Sequence, residues 1–190
     1  MEYIILIVGA IFVNNFVLSR FLGICPFLGV SKKIKTAVGM SGSVVFVMTV
    51  SSGVTWALQE YILEPYNIAY MQTVVFILVI AALVQLIDIV IKYFVPPLHA
   101  ALGIYLPLIS TNCAVLGVAV LNTQYEYTFL KSVVFGCAAG LGFGFALLLF
   151  AGLREKIDKA SPPESFRGIA IALVTAGLLS LAFMGFKGLV

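Results

Sequence analysis

Two cysteines in similar sequence contexts are the side chains of this chain best suited to chemistry. Cys25 begins the segment Cys-Pro-Phe-Leu-Gly-Val and Cys113 begins the segment Cys-Ala-Val-Leu-Gly-Val, so that four of six positions are identical. Thiolates are the usual ligands of iron–sulfur clusters and common ligands of zinc, and a helix N-terminus favours the thiolate over the thiol. The repeated context makes Cys25 and Cys113 a candidate metal-ligating pair.

A pair of thiolates supplies only half of the ligands of a cluster that takes four. A related subunit or a second copy of the chain would have to provide the other two. The spacing of the cysteines matches no standard metal motif, so packing as small apolar side chains stays open as the alternative. The third cysteine, Cys137, has no counterpart in the other half of the sequence and is predicted to be a packing residue.

Polar and helix-breaking residues interrupt the apolar runs around both cysteines. Those near Cys25 are Asn14, Asn15, Gly23 and Pro26, and those near Cys113 are Pro107, Ser110, Thr111 and Asn112. Proline removes a backbone donor, glycine loosens a helix, and polar groups at membrane depth are costly unless they face protein, water or a ligand. The sequence therefore predicts two discontinuous helices, in which the asparagines bond backbone groups that the breaks set free.

The elements that carry these residues are apolar enough to lie in a lipid bilayer. Of the 190 residues, 62% are hydrophobic and 10% are charged, whereas soluble domains contain about 25% charged residues. A helix needs about 20 apolar residues to cross the bilayer core. Six such runs occur, at residues 3–22, 37–58, 70–95, 98–121, 129–153 and 168–186. We predict an all-α membrane protein with six transmembrane helices, forming one integral membrane domain over residues 1–190.

The repeated cysteine segment divides the six predicted helices into two halves, at about residues 1–97 and 98–190. Each half holds three helices, with the broken helix first. An odd number of helices per half inserts the second half upside down relative to the first. This is the architecture of a 3+3 inverted repeat, whose functional site lies at the interface of the halves near the bilayer midplane.

Basic residues are distributed unequally between the two predicted sides of the membrane. The side after helices one, three and five holds nine of them, namely Arg20, Lys32, Lys33, Lys35, Lys92, Arg154, Lys156, Lys159 and Arg167. The other side holds Lys131 and Lys187. Because lysine and arginine are retained on the cytoplasmic side, both termini are predicted to lie outside the cytoplasm. No basic stripe for nucleic acid is present.

Glycines recur through the fifth predicted helix, at Gly136, Gly140, Gly142 and Gly144. Small residues allow helices in a membrane to approach closely. We predict that they form a packing face for helix one, helix four or a partner subunit.

Three segments of the sequence closely resemble the family of Rnf A-type membrane subunits. The first is Asn-Asn-Phe-Val-Leu at residues 14–18 with Phe-Leu-Gly-Ile-Cys-Pro-Phe-Leu-Gly-Val-Ser-Lys-Lys at residues 21–33. The second is Leu-Pro-Leu-Ile-Ser-Thr-Asn-Cys-Ala-Val-Leu-Gly-Val at residues 106–118, and the third spans residues 166–185. The resemblance covers essentially the whole chain. The family is related to the E-type subunits of the sodium-pumping NADH:quinone oxidoreductase, but the Asn-Asn and Cys-Pro pairs favour the Rnf family.

This resemblance implies a membrane subunit of a complex that moves electrons between ferredoxin and NAD and couples this to Na⁺ or H⁺ translocation across the cell inner membrane. It further implies a [2Fe-2S] cluster shared with a homologous membrane subunit of the E type. Cys25 and Cys113 match the two cysteines that the family contributes. Subunits of the B, C, D and G types would be further partners.

Two other classes of function are compatible with the residues alone. A small secondary transporter would also use an inverted repeat and broken helices, without a redox centre. A structural scaffold would leave the paired cysteines unexplained. The sequence contains no nucleotide motif or catalytic triad, so the chain alone is expected to be a non-catalytic subunit.

Overall fold

A computed structural model describes residues 2–66, 69–94, 106–159 and 168–185, and these residues form helices and connecting turns without a β-strand. The helices are α1 Glu2–Val8 with a π-helical turn Gly9–Val13, α2 Ile24–Val30, α3 Ile34–Leu58 with a π-helical turn Gln59–Leu63, a 3₁₀ turn Ala69–Met71, α4 Gln72–Phe94, α5 Leu106–Ser110, α6 Cys113–Gln124, α7 Phe129–Lys159 and α8 Ile169–Met184. The all-helical prediction is confirmed for this part of the chain.

Three of the helical segments are long and apolar enough to cross a bilayer. They are Ile34–Leu63, Gln72–Ile89 and Phe129–Ile157, and they correspond to the second, third and fifth predicted runs. The first, fourth and sixth runs contain the shorter apolar segments Glu2–Val13, Leu108–Gln124 and Ile169–Met184. Residues 95, 98–105 and 186 of the predicted runs lie outside the described residues. The structure is that of a membrane protein, and the six-span inverted repeat stays a prediction.

Helices α3 and α7 form the centre of the molecule and pack closely in antiparallel fashion. A Cβ atom added at Gly140 would lie 2.8 Å from the Cα atom of Val45, and one added at Gly144 would lie 3.1 Å from the Cβ atom of Ser41. Glycine at these positions therefore lets two helix backbones approach directly. Large apolar side chains fill the space around this contact. Those that are almost fully buried include Met40, Val44, Met48, Phe143, Leu147 and Phe150.

The partner of the glycine face differs from the sequence prediction. Gly136, Gly140 and Gly144 face α3, which is the second predicted helix, and not helix one or helix four. Only Gly142 contacts the first segment, where an added Cβ atom would lie 3.1 Å from the Cα atom of Ile11. Small residues along a helix indicate close packing, but they do not identify the helix that uses it.

Both predicted breaks are present in the structure. The first segment leaves helical geometry at Asn14, passes through turns to Gly23 in the left-handed conformation (φ +81°), and resumes as α2. The second segment ends α5 at Ser110, extends through Asn112, and resumes as α6 at Cys113. The asparagine, glycine and proline residues thus predicted the discontinuities correctly.

Asn15 holds the first break against α7. Its side-chain nitrogen donates to the carbonyl oxygens of Ile11 at 3.1 Å and Gly142 at 2.8 Å. Its side-chain oxygen accepts from the backbone nitrogens of Val17 at 3.1 Å and Leu18 at 3.4 Å. The side chain is fully buried. One amide thus bonds three backbone groups of the broken segment and one carbonyl of α7, which is the role predicted for it at the break.

The chain doubles back after this break, and this changes the predicted position of Arg20. The guanidinium group donates to the Tyr125 hydroxyl at 3.4 Å, in the turn that precedes α7. The distribution of basic residues predicted Arg20 on the opposite side, together with Arg154 at the far end of α7. That placement is wrong. Residues 14–22 return toward the end of the molecule where α1 begins, and apolarity alone does not predict such a reversal.

Candidate functional site

Each of the two candidate cysteines lies at the N-terminus of a half-helix. Cys25 is the second residue of α2, and Cys113 is the first residue of α6. Both side chains are exposed at the surface of this chain, whereas Cys137 is half-buried in α7. The two thiols therefore stand where a ligand or a partner chain could reach them.

The two breaks pack directly on each other through Gly23. A Cβ atom added to this residue would lie 2.9 Å from the side-chain oxygen of Asn112 and 3.2 Å from the Cβ atom of Ala114. Its left-handed φ of +81° is also a conformation that favours glycine. Because these contacts flank Cys113 on both sides and Gly23 precedes Cys25 by two residues, the segments that carry the two cysteines meet in one region. A second contact joins Leu22 to Gly117.

The two half-helices are capped in different ways. Asn112 caps α6 by accepting a hydrogen bond from the backbone nitrogen of Ala114 at 3.0 Å. The N-cap of α2 is Gly23, which has no side chain to offer, so the first backbone N–H groups of α2 lack a side-chain acceptor. Unsatisfied N–H groups give a helix N-terminus a partial positive charge. Neither cap contributes a charged side chain that would oppose a thiolate.

The donor set of this region fits half of a [2Fe-2S] site. Such a cluster takes four thiolates, and this chain contributes the exposed thiols of Cys25 and Cys113. Among the described residues no group of three or more histidine, cysteine, aspartate or glutamate side chains forms a metal site within the chain. If the chain holds a [2Fe-2S] cluster, Cys25 and Cys113 would be two of its ligands, and a partner would have to supply the other two.

One residue that anchors this region was not identified from the sequence. Arg154, near the end of α7, is buried, and it donates from Nη1 to the carbonyl oxygen of Leu28 at 2.8 Å and to the Ser31 hydroxyl at 2.9 Å. From the sequence, Arg154 is only one of the nine basic residues predicted for one side of the membrane. The position of Arg154 directly after a long apolar run indicates that it lies at the end of a membrane helix. Its contact with α2 joins residues far apart in the sequence, and the apolar run does not predict it.

A cavity of about 350 Å³ opens at the opposite end of the molecule. Its polar lining consists of Glu2, Tyr3, Asn14, Arg20, Tyr125, Tyr127 and Lys131. Glu2 and Lys131 form an ion pair of 2.9 Å across it. Burial raises the pKa of the Tyr127 hydroxyl above its usual value, with a further contribution from Tyr125. The cavity reaches the first break at Asn14, but it contains neither candidate cysteine.

Comparison with known proteins identifies relatives over the full length of the chain. The sequence model of the Rnf-Nqr subunit family, described as membrane proteins, matches residues 3–190. The chain is 57% identical over 187 residues to the A-type subunit of an ion-translocating oxidoreductase complex from Syntrophotalea carbinolica, covering 98% of this chain and 97% of the relative. It is 56% identical over 189 residues to the A-type subunit of a Na⁺-translocating ferredoxin:NAD⁺ oxidoreductase complex from Acetobacterium woodii, covering 100% and 98%. A relative from Aeromonas hydrophila, also the A-type member of an ion-translocating oxidoreductase complex, is 52% identical over 189 residues, with the same coverage.

Proposed function

The chain belongs to the Rnf-Nqr family of membrane subunits, and on that premise we propose that it is the A-type subunit of an ion-translocating ferredoxin:NAD oxidoreductase complex. In this role it passes electrons through the membrane and takes part in Na⁺ or H⁺ translocation. The observation that carries the proposal is the meeting of two half-helix N-termini that each present an exposed cysteine. The full-length similarity to subunits of such complexes supports it.

Cys25 and Cys113 supply two of the four thiolate ligands of a [2Fe-2S] cluster in this proposal. The other two come from a homologous membrane subunit of the E type. Such a cluster supplies one-electron transfer when bound. The exposure of both thiols supports a shared site, because a cluster wholly within this chain would need two more ligands that the described residues do not place there.

The half-helices α2 and α6 are the elements through which electron transfer would act on ion movement. Both have a candidate cysteine in their first turn, and both are separated from the preceding chain by a break. A change of charge at Cys25 and Cys113 in a low-dielectric site changes the electrostatic energy of the adjacent helix N-termini strongly. We propose that this change shifts the two half-helices between an inward-open and an outward-open arrangement.

The 3+3 inverted repeat is part of the same proposal. Two contacts near the ends of the central helices support it. Trp56, in the last turn of α3, donates to the carbonyl oxygen of Tyr127 beyond the end of α6 at 2.7 Å. Arg154, in the second-last turn of α7, donates to the carbonyl oxygen of Leu28 in the last turn of α2. Each central helix thus bonds the other predicted repeat, α7 within the half-helix α2 and α3 just beyond the end of the half-helix α6. Partners of the B, C, D and G types, an inner-membrane location and termini outside the cytoplasm complete the proposal.

The test is low-temperature EPR spectroscopy of the purified membrane complex. We expect Cys25→Ser and Cys113→Ser each to remove the same [2Fe-2S] signal while the other centres remain. Cys137→Ser is the matched control, because this cysteine is half-buried within α7 and does not lie at the N-terminus of a half-helix. Unchanged spectra from correctly assembled Cys25→Ser and Cys113→Ser complexes would overturn the cluster assignment. They would favour the alternative function, a secondary transporter with an inverted repeat and no redox centre.

A further inference from the structure

Arg154 is a buried cation, and its hydrogen bonds to the described residues go to one short helix and the residue that ends it. Its side chain is 7% exposed. It contacts Leu28 and Ser31 as described above, and Ser31 itself donates to the Leu28 carbonyl oxygen at 3.3 Å. Among the side chains that the structure describes, none forms an ion pair with Arg154. Burying a guanidinium is costly unless its donors are satisfied, and the hydrogen bonds to Leu28 and Ser31 are the contacts that offset this cost here.

The contact lies at the negative end of α2. The last carbonyl groups of a helix have no intrahelical partner, and the helix dipole gives this end a partial negative charge. Arg154 donates to one of these carbonyls and places a positive charge beside them. One turn earlier on α7, Phe150 stacks on Phe27 of α2 with the ring centroids 4.3 Å apart. An apolar contact and a charged contact therefore fasten the same half-helix to the same central helix.

This anchoring bears on Cys25 because α2 is short. The helix has seven residues, and isolated helices of this length are not stable by themselves. Leu28 follows Cys25 by three residues, which is a rise of about 4.5 Å along a helix. The position of the thiol is consequently set from both ends of α2, by the packing of Gly23 at its beginning and by Arg154 near its end.

We propose that Arg154 is a positioning residue for the redox group that Cys25 and Cys113 share. It holds α2 in the orientation that presents Cys25. Its buried positive charge, at the other end of this seven-residue helix, raises the reduction potential of the group, because a cation in a low-dielectric medium stabilises the more negative reduced state. This inference rests on the proposed function, since it assumes that Cys25 ligates a redox group.

The test is an EPR-monitored redox titration of the purified membrane complex carrying Arg154→Gln, Arg154→Lys or Lys156→Gln. We expect Arg154→Gln to shift the midpoint potential of the signal lost in Cys25→Ser to a more negative value and to change its line shape. Arg154→Lys keeps the charge but not the forked geometry, so the potential should shift less than in Arg154→Gln. Lys156→Gln removes the same formal charge from an exposed position two residues away and should match the wild type.

A wild-type potential and line shape in an assembled Arg154→Gln complex would overturn the proposal. If Arg154→Gln does not assemble, Ser31→Ala replaces it, because it removes one acceptor of Arg154 and no charge. This variant should alter the line shape, and an unaltered line shape would contradict the proposal.

The proposed function and the role of Arg154 can fail separately. If Cys25→Ser leaves every EPR signal unchanged, the assignment of the cluster fails. The anchoring is then judged by hydrogen exchange of the backbone amides of α2. Faster exchange in Arg154→Gln than in Lys156→Gln would support it, and equal rates would contradict it.

Discussion

Single polar side chains hold the two breaks of this membrane protein, and each has a different set of partners. Asn15 bonds four backbone groups around the first break. Asn112 caps α6, and Arg154 fastens the end of α2. In lipid, backbone groups that leave a helix must find partners within the protein. These three residues therefore determine where the chain can be discontinuous and where the candidate cysteines stand.

Replacement of Asn15 by alanine should destabilise the protein, whereas replacement of its neighbour Asn14 should not. Asn15→Ala leaves buried backbone groups without partners, each at a cost of about 1–3 kcal/mol. Because some of these groups will find other partners, we expect the free energy of unfolding to fall by about 2–4 kcal/mol. Asn14 is exposed, and its substitution should change stability by less than about 0.5 kcal/mol. Thermal unfolding in detergent measures both variants, and equal losses would show that the hydrogen bonds of Asn15 are not the cause.

Close backbone contact between α3 and α7 is the property on which the arrangement of elements depends. The half-helices α2 and α6 are too short to hold their own positions, and both pack on these central helices. Three glycines of α7 permit the contact, and the side chains of α3 fill the space opposite them. A change in the distance between α3 and α7 would therefore shift α2 and α6, and with them Cys25 and Cys113.

Alanine at Gly140 should separate the two central helices. Its Cβ atom would lie 2.8 Å from the Cα atom of Val45, and a backbone atom cannot move away without moving the helix. We expect a loss of about 1–3 kcal/mol of stability, as for other overpacked cores. Gly152 lies on the same helix with nothing within 4 Å of an added Cβ atom, and alanine there should stabilise the protein by up to about 1 kcal/mol. Chemical denaturation measures the free energy of unfolding of both variants. If alanine changes this free energy in the same direction at Gly140 and Gly152, the prediction is contradicted.

The elements show how far the sequence alone could predict this structure. Apolar runs predicted where helices occur, and asparagine, glycine and proline predicted both breaks, because these signals are local. The reversal of residues 14–22, the packing of Gly140 on Val45 and the contact of Arg154 with α2 depend on residues far apart in the chain. Periodicity and composition contain no information on such pairs. The choice of Cys25 and Cys113 came from a repeated sequence segment, and their function stays a prediction.

For the whole molecule, the corrected position of Arg20 leaves the asymmetry of basic residues in place. Arg20 lies with Lys131 at the end where α1 begins. Together with Lys187, whose side is predicted from the sequence alone, they make three basic residues against the eight predicted for the opposite side. The excess of basic residues on one side still predicts that the end of α7 with Arg154 and Lys156 faces the cytoplasm. The cavity beside Arg20 then opens on the outer side of the membrane.

This orientation can be tested with cysteines introduced into a Cys25, Cys113 and Cys137 serine background. We expect a membrane-impermeant thiol reagent added to intact cells to label Arg20→Cys and Glu64→Cys, which are exposed at the same end of the molecule, but not Lys156→Cys. Lys156→Cys should react only after the cells are opened. If only Lys156→Cys is labelled in intact cells, the protein has the opposite orientation in the membrane to the one predicted. Labelling of Glu64→Cys without Arg20→Cys would instead return Arg20 to the cytoplasmic side, and the turn at residues 14–22 would then not reach the outer surface.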